Sequence, residues 1–300
     1  MKVLVTGGAG FIGSHLTDKL CDLGHSVQVL DNLVGGKVGN VNKKAVLHQV
    51  DICNLGAILP LFEGVDYVFH LAALPRVAYS IEHPAESNET NVTGTVNVLI
   101  AAKEAKVKKV IYSASSSAYG DQPVLPLEES MPANPKSPYG LQKYIGEMYA
   151  RVFNNVYGLP TVCLRYFNVY GPRYSAEGAY ALVIGKFLEQ RHRGEPMTIT
   201  GDGSQSRDFT HVYDVVRANI LAMEKTEVAG GEVFNIGSGC NMTIKEIAEL
   251  VGGPVEYVPA RLEPKDTLAD NSKAKTYLDW QPTISIEEGI KELKKLRETA

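Results

Sequence analysis

The first fourteen residues narrow the possible architectures more than any other part of the chain. Lys2–Thr6 is a short apolar run rich in β-branched residues, and Thr6-Gly7-Gly8-Ala9-Gly10-Phe11-Ile12-Gly13 follows it directly and opens a helical pattern. Gly7 permits a tight turn, Gly10 lets the backbone approach a pyrophosphate, and Gly13 lets the helix pack closely on the strand. The unpaired N–H groups at that helix N-terminus, which include those of Phe11 and Ile12, supply an anion site. Strand, glycine turn and helix in this order predict a dinucleotide-binding unit. Asp31 ends the second strand, 18 residues past Gly13, where a carboxylate accepts both ribose hydroxyls of an adenosine and repels a 2′-phosphate. That favours NAD over NADP, with Asn32 and Lys37 close by.

The alternation that begins there continues. Lys2–Thr6, Ser26–Leu30, Val46–Val50, Tyr67–Leu71, Val110–Ala114 and Thr161–Tyr166 read as strands, and Phe11–Leu23, Val92–Ala105 and Pro138–Val156 as helices. Near-continuous apolar strands suit a parallel sheet covered on both faces, so the expected fold class is α/β: a doubly wound, Rossmann-type parallel sheet. After Phe167 the elements shorten and turn chemistry takes over, as at Gly171-Pro172, Gly201-Asp202-Gly203 and Gly237-Ser238-Gly239. The expected division is a dinucleotide-binding domain at 1–166, to which 209–236 returns, and a smaller C-terminal α/β substrate-binding region at 167–208 and 237–300. Val212–Glu224 and Glu232–Ile236 are the helix and strand of that return. No linker separates the two parts, so they should pack as one unit around a cleft.

Charge and composition exclude several classes of partner. A formal net charge of −4 and a pI near 6.0, with Lys and Arg scattered, leave no footprint for nucleic acid or an anionic membrane. No apolar run spans a bilayer and the N-terminus lacks signal-peptide features, so a cytoplasmic location is expected. Cys21, Cys53, Cys163 and Cys240 form no CxxC pair and read as reduced thiols. The histidines form no HxxxH or HExxH pattern, so no metal is expected.

The chemistry is read from Tyr139 and Lys143. Of fifteen tyrosines, Tyr139 alone is followed four residues later by lysine, and Ser115-Ser116-Ser117 ends an apolar run 24 residues upstream of it. Positions four apart share a helix face, so Lys143 is expected to set its ammonium near the Tyr139 phenol and favour the phenolate. Tyrosine then becomes a usable base, with Ser115 as its hydroxyl partner.

Taken with the glycines, this Ser-x23-Tyr-x3-Lys set resembles the extended short-chain dehydrogenase/reductase family, and within it the UDP-hexose 4-epimerases (UDP-glucose and UDP-N-acetylglucosamine 4-epimerase type). The resemblance covers nearly all of the chain. Thr6–Ser14, Asp31-Asn32, Asp51-Ile52, His70-Leu71-Ala72-Ala73, Tyr112–Gly120, Ser137-Pro138-Tyr139-Gly140, Leu164–Arg173, Gly201–Phe209 and Leu268–Ala274 carry it. It implies that Asp51 and Ile52 bracket an adenine, that Leu71, Ala72, Ala73, Ser113 and Tyr166 lie along NAD with Tyr139 and Lys143, and that Asn91 lines its nicotinamide half. It also implies that Ser115, Ser116 and Tyr139 face the sugar, that Asn168, Arg207 and Arg261 serve the sugar diphosphate, and that Val183 and Lys186 line the nucleotide pocket. Related dehydratases place Asp-Glu where this chain has Ser116-Ser117, and UDP-glucuronate decarboxylases place a glutamate at the second position. Both carboxylates are absent, so proton and hydride transfer are expected without elimination.

The implied reaction is 4-epimerisation of a UDP-sugar. Tyr139 removes the proton of the sugar 4-hydroxyl, hydride passes to NAD, and a 4-keto sugar turns before hydride returns to its other face. Small Thr267 before the Leu268-Ala269-Asp270 segment implies room for an N-acetyl group, hence UDP-GlcNAc and UDP-GalNAc beside UDP-glucose and UDP-galactose. One departure is Ala260-Arg261-Leu262-Glu263-Pro264-Lys265-Asp266, where the arginine is displaced by one position from the family pattern. A UDP-glucuronate 4-epimerase is the competing enzymatic reading, with Arg76 as a cation for the sugar carboxylate. A non-catalytic NAD-binding regulator is the reading from another class. The family commonly pairs two helices per subunit into a four-helix dimer interface, which implies a homodimer through Val92–Ala105 and Pro138–Val156.

Overall fold

The structure, a computed structural model, describes residues 1–174, 183–260 and 265–298. Six strands run through its first part: β1 (Lys2–Thr6), β2 (Ser26–Asp31), β3 (Val46–Gln49), β4 (Tyr67–His70), β5 (Lys109–Ser115) and β6 (Thr161–Tyr166). A seventh, Gly230–Ile236, pairs with β6, and the sheet order is Gly230–Ile236, β6, β5, β4, β1, β2, β3. All the pairings are parallel. Strand order reverses between β1 and β4, and a crevice outside their C-terminal ends is where such sheets bind ligands.

Alternation within β1 explains why its sequence is apolar throughout. Val3 and Val5 enter a core on one face with Leu16, Leu20, Phe234 and Trp280, while Leu4 enters a second core with Leu30, Val68, Val98 and Val110. Both faces are dry, so neither set of alternate positions tolerates polar residues. Helices Phe11–Asp22, Gly94–Glu104 and Pro138–Tyr157 cross between strands. The second of these departs from the expected Val92 start: Glu89–Thr93 forms a π turn, and regular helix begins at Gly94. The side chain of Asn91 inside that turn holds the backbone of Leu74, accepting from its N–H at 2.7 Å and donating to its carbonyl at 3.1 Å. Such turns recur where a helix must aim a side chain at a site.

The smaller region has its own core of Phe187, Met197, Ile199, Ile247, Val251 and Leu293. Its sheets are two-stranded: Val169–Tyr170 with Thr210–His211, Ser206–Asp208 with Asn241–Thr243, and Met197–Thr200 with Val255–Val258. Among the described residues no helix is long and apolar enough to cross a membrane, and no group of three His, Cys, Asp or Glu is arranged to hold a metal.

Candidate active site

The loop after β1 is built from main chain. Gly7 has φ +72°, and a Cβ there would lie 2.7 Å from the Ala72 nitrogen. A Cβ on Gly13 would stand 2.2 Å from the Gly7 carbonyl oxygen. Gly10 caps the helix with no side-chain hydrogen bond, and no acidic residue occupies the first turn. The N–H groups of Phe11, Ile12 and Gly13 therefore meet an approaching anion with no competing carboxylate. This cradle, which any side chain would fill, fits a dinucleotide pyrophosphate.

The ends of β2 and β3 supply the next part. Asp31 accepts from the N–H of Ala9 at 3.0 Å and of Leu33 at 2.8 Å, so its carboxylate is locked to the glycine loop with lone pairs to spare. Asp51 accepts from Cys53 N–H at 2.8 Å and from the Asn32 amide at 2.9 Å. Burial works to raise its carboxyl, but these donors outweigh it and hold the group below its ordinary value. Ile52 is buried against Gly94, where a Cβ would approach its Cδ1 to 2.6 Å, and the Asn97 amide holds the Ile52 carbonyl at 3.0 Å. Asp31, Asn32, Asp51 and Ile52 thus form one continuous wall.

Behind the loop after β4 runs a buried chain that sequence reasoning missed. Thr95 donates to the Asn91 carbonyl at 2.7 Å, so its lone pairs accept from His70 Nε2 at 2.9 Å. His70 Nδ1 then accepts from the Thr6 hydroxyl at 2.7 Å, and Thr6 in turn accepts from the N–H groups of Leu71 and Ala72, each at 3.2 Å. Burial, helped by the nearby Lys143 charge, pushes the His70 pKa down to about 3, so the ring is neutral and works as a strut. It sets the backbone of Leu71, Ala72 and, through them, Ala73. Asn91 spends its amide on Leu74 and on Gln142, to which it donates at 2.8 Å, so it shapes this wall through the protein itself.

The base candidate stands at the end of β5. Ser137 caps the helix Pro138–Tyr157, accepting from Gly140 N–H at 3.1 Å. Two glycines let that helix descend onto the strand: a Cβ on Gly140 would lie 2.6 Å from the Ser117 carbonyl, and one on Gly146 would lie 2.1 Å from the Tyr112 hydroxyl. Tyr139 is also pinned from the other side, its N–H donating to Ser80 Oγ at 3.1 Å. The Ser115 hydroxyl lies close enough to the Tyr139 phenol to act on its titration. Ser115 Oγ also accepts from Ser117 N–H at 3.2 Å, and Ser116 between them is half-buried.

The Lys143 ammonium finds its acceptor in main chain. Lys143 does share a face with Tyr139, but its ammonium donates to the Ser113 carbonyl at 2.8 Å and lies 5.1 Å from the centre of the Tyr112 ring. A long side chain in a buried site takes the nearest carbonyl because its charge needs an acceptor. Burial raises the Tyr139 pKa, while the Ser115 hydroxyl and the charge of Arg76 act to lower it. Burial lowers Lys143 to about 8, and Glu147 one turn further on acts to raise it. Glu147 is itself paired with Arg165 of β6 through two hydrogen bonds of 2.9 and 2.7 Å. Ser80 and Glu147 carried no sequence signal, because neither belongs to a spaced motif, and Arg76 was expected only as a cation for a sugar carboxylate. Tyr166 closes this floor, its hydroxyl hydrogen-bonded to Asn219 at 3.0 Å.

Across the sheet end, three of the expected substrate residues meet. Asn168, at φ +24°, donates to the Asp208 carbonyl at 2.9 Å and to Thr267 Oγ1 at 3.4 Å. Arg207 is buried and donates to the carbonyls of Ser206 at 2.9 Å and Lys265 at 3.0 Å. Val183 and Lys186 enter separately, on the first turn of the helix Val183–His192. Arg261 lies outside the described residues. A cavity of about 750 Å³ opens elsewhere, at the outer sheet edge among Glu129, Arg151, Arg165 and Lys273, and reaches the base cluster only through Arg165.

Comparison with known proteins agrees with this geometry. A model of the NAD dependent epimerase/dehydratase family matches residues 3–237. The chain is 38% identical over 298 residues to the putative UDP-glucose 4-epimerase of Methanocaldococcus jannaschii, with 96% of each chain covered. The solved UDP-glucose 4-epimerase of Thermotoga maritima, with UDP-glucose, superposes with a TM-score of 0.95 at 43% identity, covering 100% of this chain and 99% of that one. The UDP-N-acetylglucosamine 4-epimerase of Methanobrevibacter ruminantium M1, in complex with UDP-N-acetylmuramic acid, gives 0.94 at 38% identity, covering 99% of this chain and 98% of its own.

Proposed function

The chain belongs to the NAD dependent epimerase/dehydratase family, and from that premise we propose that it is a UDP-sugar 4-epimerase working through a 4-keto sugar. Its substrates are UDP-glucose and UDP-galactose, and also UDP-GlcNAc and UDP-GalNAc. The observation that carries this reading is the placement of Ser115 at the end of β5 with Tyr139 pinned over it through Ser80, on the C-terminal side of the sheet that also holds the glycine loop. Bound NAD supplies a hydride acceptor that returns what it takes, and its nicotinamide carries a positive charge. Gly7, Gly10, Phe11, Ile12 and Gly13 hold its pyrophosphate, Asp31 and Asn32 its adenosine ribose, and Asp51 and Ile52 its adenine. Leu71, Ala72, Ala73, Asn91, Ser113 and Tyr166 form the remaining wall.

Tyr139 accepts the proton of the sugar 4-hydroxyl and gives it back from the same position, while Ser115 holds that oxygen and Ser116 borders the ring. Lys143 stays on the Ser113 carbonyl and keeps a positive charge beneath the site. Arg207, Asn168 and Arg261 anchor the diphosphate and Val183 and Lys186 the nucleotide, so the keto sugar turns while its handle stays fixed. Thr267 leaves room for an N-acetyl group. In this division of labour 1–166 and 209–236 serve NAD, and 167–208 and 237–300 serve the UDP-sugar.

NMR of products from UDP-glucose, UDP-GlcNAc and UDP-glucuronate, with wild type and Tyr139→Phe, tests the reading. Removing the base should lower kcat by roughly 10²–10⁴-fold. Turnover close to wild type in that variant overturns it, and turnover of plain hexoses alone removes the N-acetyl part. Epimerisation of UDP-glucuronate alone selects a second reading, which one observation favours: the Arg76 charge acts directly on the Tyr139 phenol.

We further propose a homodimer. Leu141, Tyr149, Val152 and Val156 lie exposed along one face of Pro138–Tyr157, an apolar stripe with no cover in the monomer. Light scattering should give twice the chain mass, and a monomer at micromolar concentration rejects the dimer. The unpaired cysteines among the described residues suit a reducing, cytoplasmic location.

A further inference from the structure

Asp208 follows Arg207 directly in the chain, is fully buried, and sets its carboxylate between the Ser238-Gly239 turn and the segment that holds Ala269. Its Oδ1 accepts from Ser238 N–H at 2.6 Å and Ser238 Oγ at 2.7 Å, and its Oδ2 from Gly239 N–H at 2.9 Å and Ala269 N–H at 3.1 Å. Its backbone works as well: the carbonyl accepts from Asn168 Nδ2, and the N–H donates to Thr267 Oγ1 at 3.3 Å. The loops are drawn so close that a Cβ on Gly237 would stand 2.3 Å from Ala269 Cβ and 3.0 Å from Asp208 Oδ2.

We propose that Asp208 is the positioning residue of the nucleotide-sugar pocket, a buried carboxylate that holds Asn168, Arg207 and Thr267 in register while taking no part in proton or hydride transfer. This rests on the UDP-sugar reading above. Its carboxylate chemistry is required because both oxygens face donors only. An amide of the same shape would aim one NH₂ at N–H groups, and the loop on that side would swing away. The negative charge does not disturb a diphosphate nearby, because four donors already share it.

The test uses the NAD-loaded protein and UDP as the probe. In Asp208→Asn the Kd for UDP should rise about tenfold or more, the range expected for losing hydrogen bonds to a charged acceptor. KM for UDP-glucose should rise in parallel, with kcat at saturation within about threefold of wild type and NAD content unchanged. A merely structural role would lower the melting temperature and leave UDP affinity alone, which overturns the proposal; so does a fall in kcat with KM unmoved. Should Asp208→Asn fail to fold, Ser238→Ala, which keeps the carboxylate and removes one donor, decides: about two- to fivefold weaker UDP binding supports the proposal and unchanged binding overturns it. Wild type that binds NAD but no UDP rejects the UDP-sugar reading itself, and this proposal with it.

Discussion

In the sheet region the proposed cofactor cradle is made of main chain: Gly7 at a positive φ, Gly13 against the Gly7 carbonyl, and the free N–H groups of a helix without a side-chain cap. In the smaller region the proposed substrate pocket is held by side chains, with Asn168, Thr267, Ser238 and Ala269 all meeting Asp208. The first needs space that only glycine leaves, and the second needs a particular atom at a particular place. Two kinds of substitution therefore separate them. An added methyl breaks the first, and an isosteric exchange of oxygen for nitrogen breaks the second.

The largest effect expected on this contrast comes from Gly13→Ala. Its Cβ meets a backbone oxygen at 2.2 Å, which cannot rotate away. The strain should cost about 1–3 kcal/mol of stability, and displacement of the helix N–H groups should leave the purified protein without NAD. Absorbance and mass spectrometry of the purified variant read this directly, and normal cofactor content would break the claim that main chain alone makes the cradle.

A medium effect is expected from acid, and it reaches both regions. Burial holds His70 at about 3 and His211 at about 4, both below the ordinary value of about 6.5. Below pH 6.5 the unfolded chain binds protons that the folded chain refuses, so stability should fall as pH drops from there toward 4. The slope approaches about 1.4 kcal/mol per pH unit for each ring. Urea midpoints at pH 7, 5.5 and 4.5 measure it, and a constant midpoint would refute the neutral His70 strut.

The smallest effect sharpens the comparison by staying local. Thr243 caps the helix Ile244–Val251 in a reciprocal pair with Glu246, accepting from its N–H at 3.1 Å while Glu246 accepts from the Thr243 N–H at 2.7 Å. Thr243→Ala should cost about 1 kcal/mol with kcat and KM unchanged, because the pairing of Asn241–Thr243 with Ser206–Asp208 runs through main chain that the substitution keeps. A change in KM for UDP-glucose would mean that the smaller region responds as a whole instead of through its carboxylate.

Much of the fold could be read directly from residue order. The six strands through Thr161–Tyr166 and the helices beginning at Phe11 and Pro138 fall within a residue or two of where apolar pattern and glycine place them. The start of the helix after β4 was hidden, because the π turn at Glu89–Thr93 answers to Leu74 and Gln142 rather than to its neighbours. In the candidate site, spacing along the chain alone marked Ser115, Tyr139, the glycine loop and Asp31 as candidates. It did not mark the target of the Lys143 ammonium, nor Ser80, His70 and Asp208.

What the sequence by itself determined is what depends on neighbours along the chain: a strand period, a helix face shared at four residues, a turn that only glycine permits. What only the tertiary structure decided is which distant groups answer one another. Tyr139 is pinned by Ser80 from 59 residues away, and Asp208 takes donors 30 and 61 residues away. A buried polar atom must find a partner wherever the packed chain brings one, and that place is set by how the sheet and its loops close in space.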